Sequence, residues 1–184
     1  RKNSKYYDIF STPLYNDDGT ISKLHIANDI TAHKQTETNL ILSLEKLRHS
    51  MEGSIKAMSS TIEVKDPYTA GHQQRVSQLA CAIAKKMDLP QEQIEGIRLA
   101  ASIHDLGKIS IPSEILSKPG KLNDIEFMMI KAHPQIGYEI LKTIEFPWPI
   151  SQVVLQHHER NNGSGYPKGL LENQIMLEAK ILGV

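Results

Sequence analysis

The sequence has a single cysteine, Cys81, in 184 residues. That excludes an internal disulfide framework and a cysteine-rich zinc ribbon, and it suits a reducing compartment. No apolar run approaches the roughly 20 residues that span a bilayer. The opening Arg1-Lys2-Asn3-Ser4-Lys5-Tyr6-Tyr7 has no apolar core of a signal peptide. An excess of charge is missing too: Lys plus Arg number 21, Asp plus Glu 21. Polybasic binding to nucleic acid or a membrane surface needs clustered positive charge, so neither is expected. No Gly-x-Ser-x-Gly elbow and no Walker phosphate loop occur. The remaining class is a cytoplasmic globular protein whose composition, 40% hydrophobic and 23% charged, can bury an ordinary core. Its one oddity is eight histidines.

The chain changes character along its length. Residues 1–36 read as strand, turn and strand. Tyr7 and Ile9 alternate with polar neighbours, Asn16-Asp17-Asp18-Gly19 signals a turn, and Leu24 and Ile26 alternate again. Two strands cannot bury a face, so this reads either as the end of a larger sheet or as a generic hairpin. From Thr31 the pattern turns helical. Leu40, Leu44, Leu47, Met51, Ile55, Met58 and Ile62 step by threes and fours. Such a stripe, over residues 37–64, suits a coiled-coil linker joining two subunits, or an amphipathic helix packed on its own domain. Gly53 weakens the seam.

Residues 65–184 look all-helical. Val76, Leu79, Ile83 and Met87 form one predicted stripe; Ile94, Ile97 and Ala101 form a second. Asn123 with Glu126 makes a capping box, and Pro134 marks the break before the next helix. Ile150 to His158 is a fifth helix; a Gly-rich loop over 161–169 separates it from a sixth starting at Ile175.

Five of the histidines fall on these apolar stripes. His72 precedes Val76 by four, and His104 continues Ile94, Ile97 and Ala101. His133 follows Met129 and Ile130, while His157 and His158 follow Val153 and Val154 by four. One buried imidazole is commonly a core histidine with a hydrogen-bond partner. Five from four segments, with Asp105 beside His104, point instead to a metal, which explains convergent deprotonated nitrogens in an interior. Imidazole with carboxylate and no thiolate suits Fe, Mn, Zn or Ni. The set exceeds what one tetrahedral ion needs, so two divalent transition-metal ions bridged by Asp105 are expected. Such a pair binds a phosphoester, turns a bridging water into hydroxide and stabilises the leaving oxygen. Lys108, three residues on, is placed either to reach a phosphate oxygen or to act as a helix-end cation. His25, His33 and His49 have the look of surface residues.

These residues resemble a known family. His104-Asp105-Leu106-Gly107-Lys108 is similar to the signature of the HD hydrolases, and His157-His158-Glu159-Arg160-Asn161-Asn162-Gly163-Ser164-Gly165-Tyr166-Pro167 resembles that of the HD-GYP subgroup. Lys65-Asp66-Pro67-Tyr68-Thr69-Ala70-Gly71-His72, Ile111-Pro112, Lys118-Pro119-Gly120-Lys121-Leu122 and His133-Pro134 fit the same order. The likeness covers about residues 57–184. It implies a mainly α fold, an HD-type helical bundle, that hydrolyses cyclic di-GMP to pGpG or GMP. It implies a centre of two or three metals, commonly iron or manganese, held by His72, His104, Asp105, His133, His157 and His158. Asp105 and Lys108 are the implied catalytic pair, with Lys108 polarising the scissile phosphate. Arg160, Gly165, Tyr166 and Pro167 are the implied substrate-binding residues, and their loop is also an implied docking face for diguanylate cyclase domains. Gly and Pro also fix a loop wherever they occur, so Gly165 and Pro167 have that simpler reading as well. Trinuclear members carry a further Glu where Tyr68 stands here, so a dinuclear centre is expected. The first 36 residues resemble the last hairpin of a PAS sensor domain.

Two departures from the family pattern stand out. Asn162 occupies a position that is usually Asp, and it is expected to shape the loop rather than bind metal. The family pattern also continues past Val184 to a further Asp ligand and to basic phosphate-binding residues. The chain is therefore expected to be a piece of a longer sensor-effector protein: PAS-like hairpin (1–36), linker helix (37–64), and an HD-GYP domain (65–184) truncated at its C-terminus and inactive alone. A homodimer through the linker is expected. The alternatives are a silent module that docks a cyclase, and another HD-family nucleotide phosphohydrolase.

Overall fold

The computed structural model describes residues 5–66 and 71–184. Residues 67–70, and with them the expectation for Tyr68, lie outside the described residues. The chain divides into two units, one up to Met51 and one from Glu52 to Val184.

In the first unit, strands β1 (Tyr7–Tyr15) and β2 (Ile21–Asp29) pair antiparallel, from Tyr7 opposite Asp29 to Tyr15 opposite Ile21. Gly19 supplies the positive φ (79°) that the connecting turn requires. Ile9, Phe10, Tyr15 and Ile21 are exposed, as expected of two strands with no third layer. Helix α1 (Thr31–Lys65) begins at once after β2, where the Asp29 carboxylate accepts the Thr31 N–H at 2.9 Å.

The apolar stripe of α1 packs on the helical unit only in its last turns. Ile55 and Ile62, in the second unit, are buried in a core with Leu99, Ile103, Leu141, Ile150, Val153 and Val154. Leu40, Leu44 and Leu47 are exposed. The linker expected to end at 64 thus gives its last turns to the helical unit.

That unit continues with α2 (His72–Lys86), α3 (Gln91–Ile103), a 3-10 turn (Leu106–Ser110), α4 (Ser113–Leu116), α5 (Asp124–Lys131), α6 (His133–Leu141), α7 (Ile150–Gln156), a second 3-10 turn (Glu172–Gln174) and α8 (Leu177–Leu182). The capping box at α5 is formed: the Asn123 side chain accepts from the Glu126 N–H and the Glu126 carboxylate accepts from the Asn123 N–H, each at 2.8 Å. The predicted stripe of α2 holds in part: Val76 and Ile83 are half-buried and pack on the core. Leu79 and Met87 are exposed, and the buried face is Gln73, Ser77, Ala80 and Ala84. Small alanines let α2 approach α3 closely, which leaves the bulkier Leu79 outside. His72 consequently lies at the edge of the buried face, half-buried.

Candidate metal centre

The His104-Asp105 pair sits where α3 gives way to the 3-10 turn, and Gly107 fixes that turn against α6. A Cβ on Gly107 would lie 1.9 Å from the His133 carbonyl oxygen, so only glycine allows the approach. Asp105 is thereby brought beside His133 at the start of α6. The end of α7 then supplies His157 and His158.

Two groups of side chains result. In one, His72, His104 and Asp105 each offer a ligand atom within 4.8 Å of the others; in the second, His133, His157 and His158 do the same. The His104 and His157 rings are 5.1 Å apart between centroids. The Asp105 carboxylate joins the groups: Oδ2 is 3.5 Å from His104 Nε2, and Oδ1 is 3.4 Å from His133 Nε2.

The tautomers follow from the backbone. His104, His133 and His157 place Nδ1 at 2.8, 2.7 and 2.5 Å from the carbonyls of Ala101, Ile130 and Val154. A carbonyl only accepts, so each Nδ1 carries the proton and each Nε2 turns a lone pair inward. His133 Nε2 and His157 Nε2 then meet at 3.2 Å with no proton between them. Two facing lone pairs repel unless a cation lies against both. Nitrogens that share an ion at roughly 2 Å stand about 3 Å apart, which is the separation found. The donor set therefore fits divalent metal ions. Imidazole nitrogens with one carboxylate and no sulfur are borderline ligands that suit first-row transition metals.

The electrostatics agree. Burial pulls His72 and His133 down from the ordinary imidazole value. Burial and then the neighbouring His104, His158 and His133 put His157 well below it. His158 is brought down to about 4 by burial and then by His133. Neutral imidazole is the form that binds metal. At Asp105 burial opposes ionisation, but neighbouring positive charge, with the Lys108 ammonium in direct contact, outweighs it and holds the carboxyl well below the usual range.

Of the other expected residues, Lys108 lies at the centre. Its Nζ donates to Asp105 Oδ2 at 2.8 Å and stands 3.5 Å from Asp66 Oδ2. Tyr166 stacks on His158 at 4.7 Å between centroids and 23° between planes, and its N–H donates to the His158 carbonyl at 3.2 Å. Gly165 is needed for packing, since a Cβ would lie 2.4 Å from the Arg160 nitrogen. Pro167 is exposed beyond it. Arg160 is exposed and donates to the Gly183 carbonyl at 2.7 Å; its described contacts do not reach the histidines. Asn162 accepts from the Ser164 N–H and hydroxyl at 3.1 and 2.7 Å, which is a turn-forming role. His25, His33 and His49 are exposed.

Two contributors carried no role in the sequence reading. Asp66, buried, is the second carboxylate facing Lys108. It follows Ile62 by four, one residue past the end of α1, so the periodicity that marked the histidines also marked it. Glu159, buried directly after His158, accepts the Lys168 N–H at 2.7 Å and the Leu170 N–H at 2.8 Å. It clamps the Gly-rich loop. It lies past the end of α7.

Comparisons with known proteins bear on this geometry. The family described as HD domain matches residues 56–184. The chain is 38% identical over 150 residues to the cyclic di-GMP phosphodiesterase response regulator RpfG of Xanthomonas campestris, covering 80% of this chain and 40% of that protein. It is 33% identical over 132 residues to the 3'3'-cGAMP-specific phosphodiesterase 3 of Vibrio cholerae, covering 72% and 29%. Among solved structures, Bd1817, an HDG"Y"P protein from Bdellovibrio bacteriovorus, aligns with a TM-score of 0.52 at 25% identity, over 61% of this chain and 37% of that one. The chain spans 40% or less of the length of these relatives. With 56–184 enclosing all five clustered histidines and Asp105, the chain belongs to the HD domain family.

Proposed function

We infer that this chain carries the hydrolytic domain of a metal-dependent cyclic di-GMP phosphodiesterase. One observation carries the reading: two ligand groups, drawn from separate helices, meet at a single carboxylate that also holds a lysine. Relatives named as cyclic di-GMP phosphodiesterases supply the substrate class.

His72, His104, Asp105, His133, His157 and His158 would hold two ions, iron or manganese. Bound there, divalent ions supply a water nucleophile at neutral pH and Lewis-acid activation of the phosphodiester. The protein's own part is positional and electrostatic. Burial keeps His133, His157 and His158 neutral, and the Nδ1 bonds of His104, His133 and His157 to backbone carbonyls fix their orientation. Lys108, shared by Asp105 and Asp66, turns its ammonium to a phosphate oxygen and stabilises the charge that develops there. Water adds to phosphorus, the bond from phosphorus to the 3′ oxygen breaks, and that oxygen takes up a proton. The product is linear pGpG, and a second such cleavage gives GMP. The loop bearing Gly165, Tyr166 and Pro167, with Arg160 before it, borders the substrate and offers a face for cyclase domains. The exposed leucines of α1 form a dimerising stripe, the hairpin belongs to a PAS-like sensor, and the protein works in the cytoplasm.

The test is hydrolysis of cyclic di-GMP by protein loaded with Mn²⁺ or Fe²⁺, followed by chromatography. Release of pGpG or GMP, abolished by chelation, is expected. Protein that binds both ions and leaves cyclic di-GMP intact would be a docking module instead. The relative specific for 3'3'-cGAMP favours a second reading, a mixed guanine–adenine substrate, and the same assay with that dinucleotide decides between them.

A further inference from the structure

Beside the histidines lies a cation that the chemistry above does not use. Lys131 ends α5, two residues before His133. Its Nζ stands 4.7 Å from the centroid of the Phe127 ring and 5.5 Å from that of Tyr166. Both distances are within cation–π range. Among the described residues it has no carboxylate partner. Tyr166 in turn stacks on His158. The ammonium therefore sits one ring outward from the His133–His157–His158 group, half-buried and held by faces that attract its charge but offer no lone pair. Its N–H donors remain available to a ligand.

The Phe127 ring and Met128 beside it on α5 are exposed, so this ledge is open on its outer side. A phosphate on the histidine groups would leave its attached nucleoside reaching outward over it. We propose that Lys131, presented by Phe127 and Tyr166, reads the guanine base of the substrate through its O6 and N7 edge and so sets preference for guanine over adenine. The proposal rests on the cyclic dinucleotide reading given above. Its chemistry is that of base recognition in general: guanine offers two acceptors, O6 and N7, that a lysine can span. Adenine replaces O6 with an amino group, which is a donor and faces the ammonium unfavourably.

The experiment compares metal-loaded wild type with Lys131→Met and Lys131→Arg. KM and kcat are measured for cyclic di-GMP and cyclic di-AMP, and binding of GMP and AMP is measured by calorimetry. In Lys131→Met, KM for cyclic di-GMP should rise roughly tenfold, the discrimination of one good base-edge contact, and GMP should weaken to match. The adenine ligands should change little, and Lys131→Arg should restore most of the guanine preference. Equal shifts for both bases, or no shift, would overturn the role of Lys131 while leaving the phosphodiesterase reading intact. Wild type that cleaves bis(p-nitrophenyl) phosphate but no cyclic dinucleotide would overturn the substrate reading, and this inference with it.

Discussion

The two ligand groups are built on different physical terms. His133, His157 and His158 are all imidazole, and burial holds all three below their ordinary values, helped at His157 and His158 by the neighbouring histidines. His72, His104 and Asp105 include the one carboxylate, kept ionised by its neighbours against burial, and His72 is half-buried. The first group is neutral and desolvated; the second is anionic and tied to a lysine. One half of the centre therefore excludes protons by burial, and the other attracts cations by charge. Asp105 serves both, with one oxygen toward each.

Removing that shared carboxylate should collapse the distinction. Asp105→Ala is expected to lose both ions and all measurable hydrolysis. The loss in metal affinity should exceed the roughly 10–100-fold seen for residues that only support a ligand. Elemental analysis after anaerobic purification checks it, and retention of one full ion would show that the groups are independent.

Lys108→Ala separates holding metal from using it. Metal content should stay near wild type while turnover falls by about 10²-fold or more, as for loss of one charge-stabilising donor. Asp66→Asn should produce a smaller fall in turnover, since it removes only the second carboxylate facing Lys108. Equal loss of metal in Lys108→Ala and Asp105→Ala would make the lysine structural.

Acidification should distinguish the groups in metal-free protein. A histidine whose folded value is depressed takes up more protons when unfolded, so unfolding becomes easier as pH falls. His158 contributes stability above about pH 6.5 that is lost as pH falls towards about 4. Asp105 is depressed from an already low value, so its contribution persists to lower pH. Denaturant midpoints measured from pH 7 to 5 should decline, and His158→Gln should flatten that decline. An unchanged slope in the variant would remove His158 from the account.

The smallest effect is expected at Asn162. Its side-chain oxygen accepts from Ser164, and an aspartate would accept as well, so Asn162→Asp should change turnover only modestly. A large gain on this change would mark the natural protein as a weakened enzyme.

Much of the site was legible because helical periodicity reports burial. His104, His133 and His157 stand in phase with apolar neighbours and are buried. The same reasoning was right for only half of the α2 stripe, Val76 and Ile83. Leu79 is apolar and periodic, yet Ala80 and Ala84 take the contact because small residues permit closer packing. It also left the α1 stripe ambiguous, since Leu47 and Ile55 share one repeat but not one environment. The Gly-rich loop was legible from its glycines, but the Glu159 clamp on it was not, because a backbone N–H accepted across nine residues leaves no spacing signal.

The sequence by itself determined the helical class, the candidate ligand types and their order along the chain, because residue identity and local period are written in it directly. Only the tertiary structure decided that Asp105 faces both groups, that Lys108 lies between Asp66 and Asp105, and that Tyr166 covers His158. Those contacts depend on how closely α6 approaches the turn at Gly107 and how the loop folds back over Glu159. Such approaches are set by packing among residues distant in the chain, where local propensity has no bearing.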